Sequence, residues 1–206
     1  MPRAGSIYRT GSRKRLSLCF AAILLLVFLF TRMPAVLEFP SVTLLGLTGL
    51  LLTALGAFGR IWSSIYIAGR KNKKLVDEGP YSVTRNPLYL FSLSGATGLG
   101  LASCNPVVLV CLLAGFLLYY PGVIAAEEEK LRAKHGELFE EYQSRVPRIV
   151  PDLSLFAQPE YIPASPGPVD KSFADAVWFI LGYIALRAVV WLHFFALLPA
   201  LEIPFF

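Results

Sequence analysis

Residues 86–126 read NPLYLFSLSGATGLGLASCNPVVLVCLLAGFLLYYPGVIAA, 41 in a row without an Asp, Glu, Lys or Arg. As a single helix at 1.5 Å per residue this run would be about 60 Å long, roughly twice the hydrocarbon core of a bilayer, so it must fold back on itself. The turn signal is Ser103-Cys104-Asn105-Pro106, which divides the run into spans at 87–102 and 106–126. Upstream lie two more apolar segments, 42–61 and 16–37, the latter weakened by Arg32 and Pro34. Downstream a fifth covers 176–201 and is interrupted by Arg187. Each is near the roughly 20 residues that a spanning helix needs. The expected fold is all-α: a polytopic membrane bundle of five transmembrane helices, with an amphipathic cytoplasmic helix after the fourth.

The composition agrees. The 206 residues are 55% hydrophobic and 16% charged, against roughly 25% charged in a soluble domain, which argues against a water-soluble globule. A net charge of +5 usually suggests nucleic acid. Here the basic residues cluster beside the apolar runs, where they set membrane orientation, and no nucleic-acid partner is expected. Five lie in the N-terminal tail (Arg3, Arg9, Arg13, Lys14, Arg15) and five between spans two and three (Arg70, Lys71, Lys73, Lys74, Arg85), with Arg60 at the boundary. Six lie between spans four and five (Lys130, Arg132, Lys134, Arg145, Arg148, Lys171), and the opposite side has Arg32. The asymmetry predicts a cytoplasmic N-terminus, two cytoplasmic loops and an external C-terminus. No small-x-small cleavage site follows the first apolar run, so it is expected to be a retained helix. The chain is expected to be a multi-pass protein with its site facing the cytoplasm, in the inner membrane if bacterial and in the endoplasmic reticulum if eukaryotic.

Cys19, Cys104 and Cys111 show no CxxC spacing, and His135 and His193 are far apart. Neither a disulfide framework nor a metal site is expected. The Gly95-x-x-Gly98-x-Gly100 pattern follows no strand and lies inside the third span, so it reads as close helix packing rather than a dinucleotide loop. Arg187 is costly in lipid and is expected to face the bundle with Tyr183, one turn before it, pairing with backbone carbonyls. His193 reads as a hydrogen-bonded bundle residue, and Trp178 and Trp191 as interfacial anchors.

The chemistry-bearing residues are in the two cytoplasmic loops. Gly79-Pro80-Tyr81 leads into Arg85-Asn86-Pro87-Leu88-Tyr89. Singly these are a turn, a positive flank and a helix-starting proline. Together they bring a cation, an amide and two tyrosines to the start of a helix, whose free N–H groups favour an anion. The second element is Glu127-Glu128-Glu129 at the end of span four. At 100° per residue Glu127 and Glu128 lie about 40° and 60° from Leu131, whose stripe continues through His135, Leu138, Phe139 and Tyr142, whereas Glu129 lies about 160° away. Glu129 is the solvated one. Two carboxylates turned inward are costly unless paired or bound, which makes them candidates for a site. From 147 to 168 six prolines exclude a continuous helix and predict an extended linker.

The run LVDEGPYSVTRNPLYL, followed some forty residues later by EEEKLRAKHGELFEEYQSRVPRIVP, resembles the isoprenylcysteine carboxyl methyltransferases and the related phospholipid N-methyltransferases. The resemblance covers about residues 56–151. It implies a helical membrane enzyme that binds S-adenosyl-L-methionine at its cytoplasmic side without a Rossmann domain, acting on a lipid or hydrophobic small molecule from the bilayer. The family's GPYxxxRHPxY element falls on Gly79, Pro80, Tyr81, Arg85, Asn86, Pro87 and Tyr89, and its EExxL element on Glu127, Glu128 and Leu131. The implied cofactor-binding set is Gly79, Pro80, Tyr81, Arg85, Asn86, Tyr89, Glu127 and Glu128, with Glu128 and Arg85 as catalytic residues. Where the family commonly has His, this chain has Asn86, which keeps a hydrogen-bonding side chain but cannot become cationic. Prenylcysteine enzymes often carry an Arg five residues before the second Glu, suited to a substrate carboxylate. Here that position is Val123. The resulting organisation is a basic tail at 1–15, a membrane methyltransferase core at 16–146, a Pro-rich linker at 147–172 and the fifth helix with the C-terminus at 173–206. A sterol-reductase-like enzyme using NADPH and a non-catalytic scaffold are the alternatives. The first normally has an Asn-Tyr pair after its Arg-His and lacks the Glu-Glu pair.

Overall fold

A computed structural model describes residues 26, 28–29, 39–70, 74–162, 164–195 and 197. The described residues are helical or irregular, without a strand. Helix α1 is Phe39–Ile67, α2 the single turn Pro80–Val83, α3 Pro87–Ala102, α4 Pro106–His135, α5 Glu137–Arg145 and α6 Pro166–Phe194, with a 3₁₀ turn at Leu153–Leu155. Three of them, α1, α4 and α6, are long and apolar enough to cross a membrane. The third sequence span is α3, whose 16 residues make about 24 Å of helix. The first span lies almost wholly outside the described residues; Leu26, Phe28 and Leu29 are helical there.

Helix starts follow local chemistry. Pro87, Pro106 and Pro166 each stand in the first turn of a helix, where no intrahelical N–H is required. The turn before α4 is closed by Asn105, whose side-chain oxygen accepts from the N–H groups of Val107 and Val108 at 3.0 and 3.3 Å. Two boundaries differ from the sequence expectation. The charged stretch 124–142 is not one helix following the fourth span, because α4 runs unbroken through Glu127–Glu129 to His135. The break comes at Gly136, which has φ +53° and ends α4 before α5 begins. The last helix begins at Pro166, earlier than the hydropathy suggests, because prolines at its N-terminus are no obstacle.

The helices α1 and α3 pack most intimately, because small residues line both faces. A Cβ at Gly56 would lie 2.6 Å from Gly95 Cα, and one at Gly98 would lie 2.6 Å from Gly49 O. Backbone meets backbone there, the reading expected of Gly95 and Gly98. Helix α6 packs on both α1 and α3, while α4 packs on α3. At one end of the bundle Val42, Cys104, Val108 and Val190 form a core, and Phe39 meets Trp191 and Phe194. Arg187 closes that end. Its Nη1 donates to Ala102 O at 3.3 Å, and Tyr183 OH donates to Gly46 O at 3.0 Å. The cation thus sits on the carbonyl end of α3, where the helix dipole favours it.

The opposite end holds α2, α5 and the segment 146–165, which does not run free. Asp152 N donates to Val83 O at 2.9 Å, Gly79 N to Ala157 O at 2.7 Å and Ala157 N to Ser82 Oγ at 2.9 Å. Phe156 packs against Trp62 of α1. The proline-rich segment is therefore a strap bonded across α2, since proline removes its own N–H but leaves its neighbours' groups to be satisfied.

Candidate active site

The strap, the loop ahead of α3 and the charged turn of α4 meet around Glu128. Gly79 makes this possible. Its φ of +60° and the Tyr66 ring against it leave no room for a side chain, and it turns the chain into Pro80 and α2. The chain leaves α2 at Thr84, whose hydroxyl donates to Arg148 O and Ile149 O, and Arg85 N donates to Pro147 O at 2.9 Å. Arg85 and Asn86 are thereby fixed over α4. Asn86 occupies the N-cap position of α3 without capping it. Its side-chain amide donates to Glu128 Oε1 at 3.1 Å and to Arg148 O at 3.0 Å.

Glu128 has a side chain only 12% exposed. Arg148 Nε lies 3.1 Å from its Oε2 and Arg85 Nη1 lies 3.6 Å from its Oε1. A buried carboxylate is thus held by two guanidinium groups and an amide, the condition under which it can stay charged. Arg85 is less satisfied. Its side chain is 9% exposed, yet Nε is buried without a hydrogen-bond partner and Nη1 has only the 3.6 Å ion pair with Glu128. The unmet Nε leaves Arg85 with a donor for a further anion.

These groups line a cavity of about 570 Å³, within the range of small-molecule sites. Tyr81, Arg85, Asn86, Tyr89, Glu127 and Glu128 are on its wall. Gly79 and Pro80 are not; they build the turn behind it. Glu127 is half-buried and faces the Tyr89 hydroxyl, and Glu129 is exposed, as the helical phase predicts. The wall also includes Arg60, Tyr120, Lys74 and Tyr142. Tyr142 OH donates to Tyr81 O at 2.8 Å. The Tyr81 hydroxyl is buried without a partner, and this burial, reinforced by Tyr142 and Glu127, raises its pKa far above the ordinary tyrosine range. It remains a neutral donor. Among these, Tyr142 lay on the inward stripe of the sequence. Arg148 had no local signal, because only the strap brings it to Glu128.

The site suits a ligand with both charge signs: the unmet Arg85 donor for a carboxylate, and Glu127 for hydroxyl or cationic groups. The phospholipid methyltransferase family model matches residues 42–137, a range that includes Arg85, Asn86, Glu127 and Glu128. A nickel-cobalt-cadmium resistance protein, NccN, of Alcaligenes xylosoxydans xylosoxydans is 39% identical over 158 residues, 73% of each chain. This chain is a member of the phospholipid methyltransferase family. It is also similar to the cobalt-zinc-cadmium resistance protein CzcN of Cupriavidus metallidurans, 39% identical over 64% of this chain and 61% of the relative. The protein-S-isoprenylcysteine O-methyltransferase B of Arabidopsis thaliana is 32% identical over 48% of this chain and 51% of the relative. No solved structure matches the chain. The family's methyltransferases generally use S-adenosylmethionine, and unmet donors of Arg85 and Tyr81 together with Glu127 on the same wall fit that molecule's carboxylate and its hydroxyl and cationic groups.

Proposed function

We propose that this chain is an integral membrane methyltransferase that takes its methyl group from S-adenosylmethionine and passes it to an apolar or lipid-like acceptor at the cytoplasmic face. The observation that carries the reading is Glu128, a buried carboxylate held by Arg85, Arg148 and Asn86 on the wall of a cavity at the basic end of an apolar bundle. When bound, the cofactor would supply an electrophilic methyl group on a sulfonium. Arg85, whose Nε is without a partner, would hold its carboxylate, Tyr81 would add a neutral donor, and Glu127 would take its hydroxyl or cationic groups. Glu128 keeps Arg85 and Arg148 in place, and its negative charge would favour a cationic sulfonium. In-line methyl transfer asks chiefly for alignment and dryness, which a cavity walled by Leu88, Tyr89 and Tyr120 provides.

The reading includes five spans with the N-terminus inside and the C-terminus outside, the first of them within residues 16–37, and the core, linker and fifth helix divided as the sequence suggests. It makes the bilayer the source of the acceptor. Two of the relatives are named for metal resistance. Among the described residues no three His, Cys, Asp or Glu side chains converge to hold a metal.

The test is calorimetric titration of the purified protein with S-adenosylhomocysteine and, separately, NADPH, followed by transfer of radiolabelled methyl into a membrane lipid extract. Binding of the first with label in the organic phase is expected. Binding of NADPH alone, or of neither, overturns the reading. Cysteines placed at Lys74 and Leu197 in a cysteine-free background are expected to label from the inside and the outside respectively; the reverse pattern overturns the orientation.

A further inference from the structure

Arg60 stands seven residues before the end of α1, about 10 Å along the helix, and enters the cavity wall from outside both sequence motifs. Its Nη1 donates to Ser92 Oγ of α3 and its Nη2 lies 3.6 Å from Asp175 Oδ2 of α6. The guanidinium stands 5.8 Å from the centre of the Phe179 ring, and its Nε is buried without a partner. The contact with Asp175 is longer than the 2.7–2.9 Å of a charge-assisted hydrogen bond, and Asp175 is itself half exposed. A guanidinium has five donors, and the Nε donor of this one is unmet. Its charge reaches the hydroxyls of Tyr81, Tyr89 and Tyr120, the aromatic part of the same wall.

The charge balance of the cavity points the same way. Arg60, Lys74, Arg85, Lys130 and Lys134 line it against Glu127 and Glu128, and Arg148 adds a further cation on Glu128. The proposed cofactor itself carries a net positive charge. An acceptor arriving as an ammonium ion would be repelled, and the best-placed base, Glu128, is already occupied by two guanidiniums and an amide. An anionic acceptor is attracted and needs no base. Val123 supplies no cation at the position where prenylcysteine enzymes often carry one, and Arg187 is at the other end of the bundle, bound to Ala102.

Building on the methyltransferase reading, we propose that Arg60 is the specificity-determining residue that holds the carboxylate of an amphiphilic acceptor, supplying from α1 the cation that Val123 does not supply from α4. The carboxylate oxygen bonds the methyl carbon as the carbon–sulfur bond breaks. An anion and a sulfonium become a neutral ester and a neutral thioether, and no proton moves. Asp175 holds Arg60 in place and competes with the acceptor for it.

The test uses the full-length protein in detergent, loaded with S-adenosylhomocysteine so that no turnover occurs, and compares the affinities of decanoate and decanamide by calorimetry. The wild type is expected to bind decanoate at least tenfold more tightly than the amide. Arg60→Gln is expected to reduce that preference to within twofold while S-adenosylhomocysteine affinity stays within twofold of wild type. Asp175→Asn is expected to raise the preference. Equal binding of the two probes by the wild type, survival of the preference in Arg60→Gln, or its loss in Asp175→Asn overturns the proposal. If Arg60→Gln does not fold, the Asp175→Asn and wild-type measurements decide. Failure of the wild type to bind S-adenosylhomocysteine overturns the methyltransferase reading instead, and the probes measured without it still decide the role of Arg60.

Discussion

Asn86 and Glu128, 42 residues apart, are joined by a hydrogen bond of 3.1 Å from the amide nitrogen to Oε1. That bond ties the N-terminus of α3 to the charged turn of α4, and a second bond from the same nitrogen ties both to the strap at Arg148. An asparagine in this position positions the carboxylate without carrying charge.

Glu128→Ala is expected to lower S-adenosylhomocysteine affinity at least tenfold, about 1.4 kcal/mol, because Arg85 and Arg148 lose the carboxylate that holds them. Glu129→Ala, at an exposed position, is expected to change it less than twofold. Titration calorimetry on the two variants is the check. Equal losses would mean a general charge effect at the membrane border.

For Asn86→Ala the expected loss is about 1–2 kcal/mol of stability, from two broken hydrogen bonds near a buried carboxylate. Asn86→His keeps a donor and is expected to lose less. Thermal unfolding in detergent distinguishes them, and a histidine variant as weak as the alanine variant would show that the bond to Glu128 is not the reason.

Between α1 and α3, Gly98→Ala places a methyl group 2.6 Å from Gly49 O and is expected to destabilise by about 1–3 kcal/mol. Gly122→Ala, where nothing lies within 4 Å, is expected to be neutral or to gain up to about 1 kcal/mol through helix propensity. A melting comparison of the pair tests the backbone contact.

The raised pKa of Tyr81 has a pH consequence. Its neutral form is favoured in the folded state, so the folded chain holds a proton that the unfolded chain releases near pH ~10. The stability this contributes is complete below that pH and falls as pH rises from there toward the raised folded value. Tyr81→Phe is expected to flatten the alkaline decline relative to wild type, measured as chemical unfolding between about pH 9 and 11. An unchanged slope would refute the burial argument.

The sequence alone determined the membrane class, the turn at Ser103–Pro106, the packing role of Gly95 and Gly98 and the inward phase of Glu127 and Glu128. All of these are local: an uncharged run of fixed length, a turn dipeptide, and a 100° step along one helix decide them without reference to the rest of the chain. The tertiary structure alone decided which cations meet Glu128. Arg148 reaches it because the strap's backbone groups bond to α2, and Arg60 reaches the cavity because small residues let α1 approach α3 at van der Waals distance. In sequence both arginines are positive flanks like any other. The difference between a topology signal and a ligand-holding cation is the burial and unmet hydrogen bonding of its nitrogens, and those exist only once distant segments have closed around it.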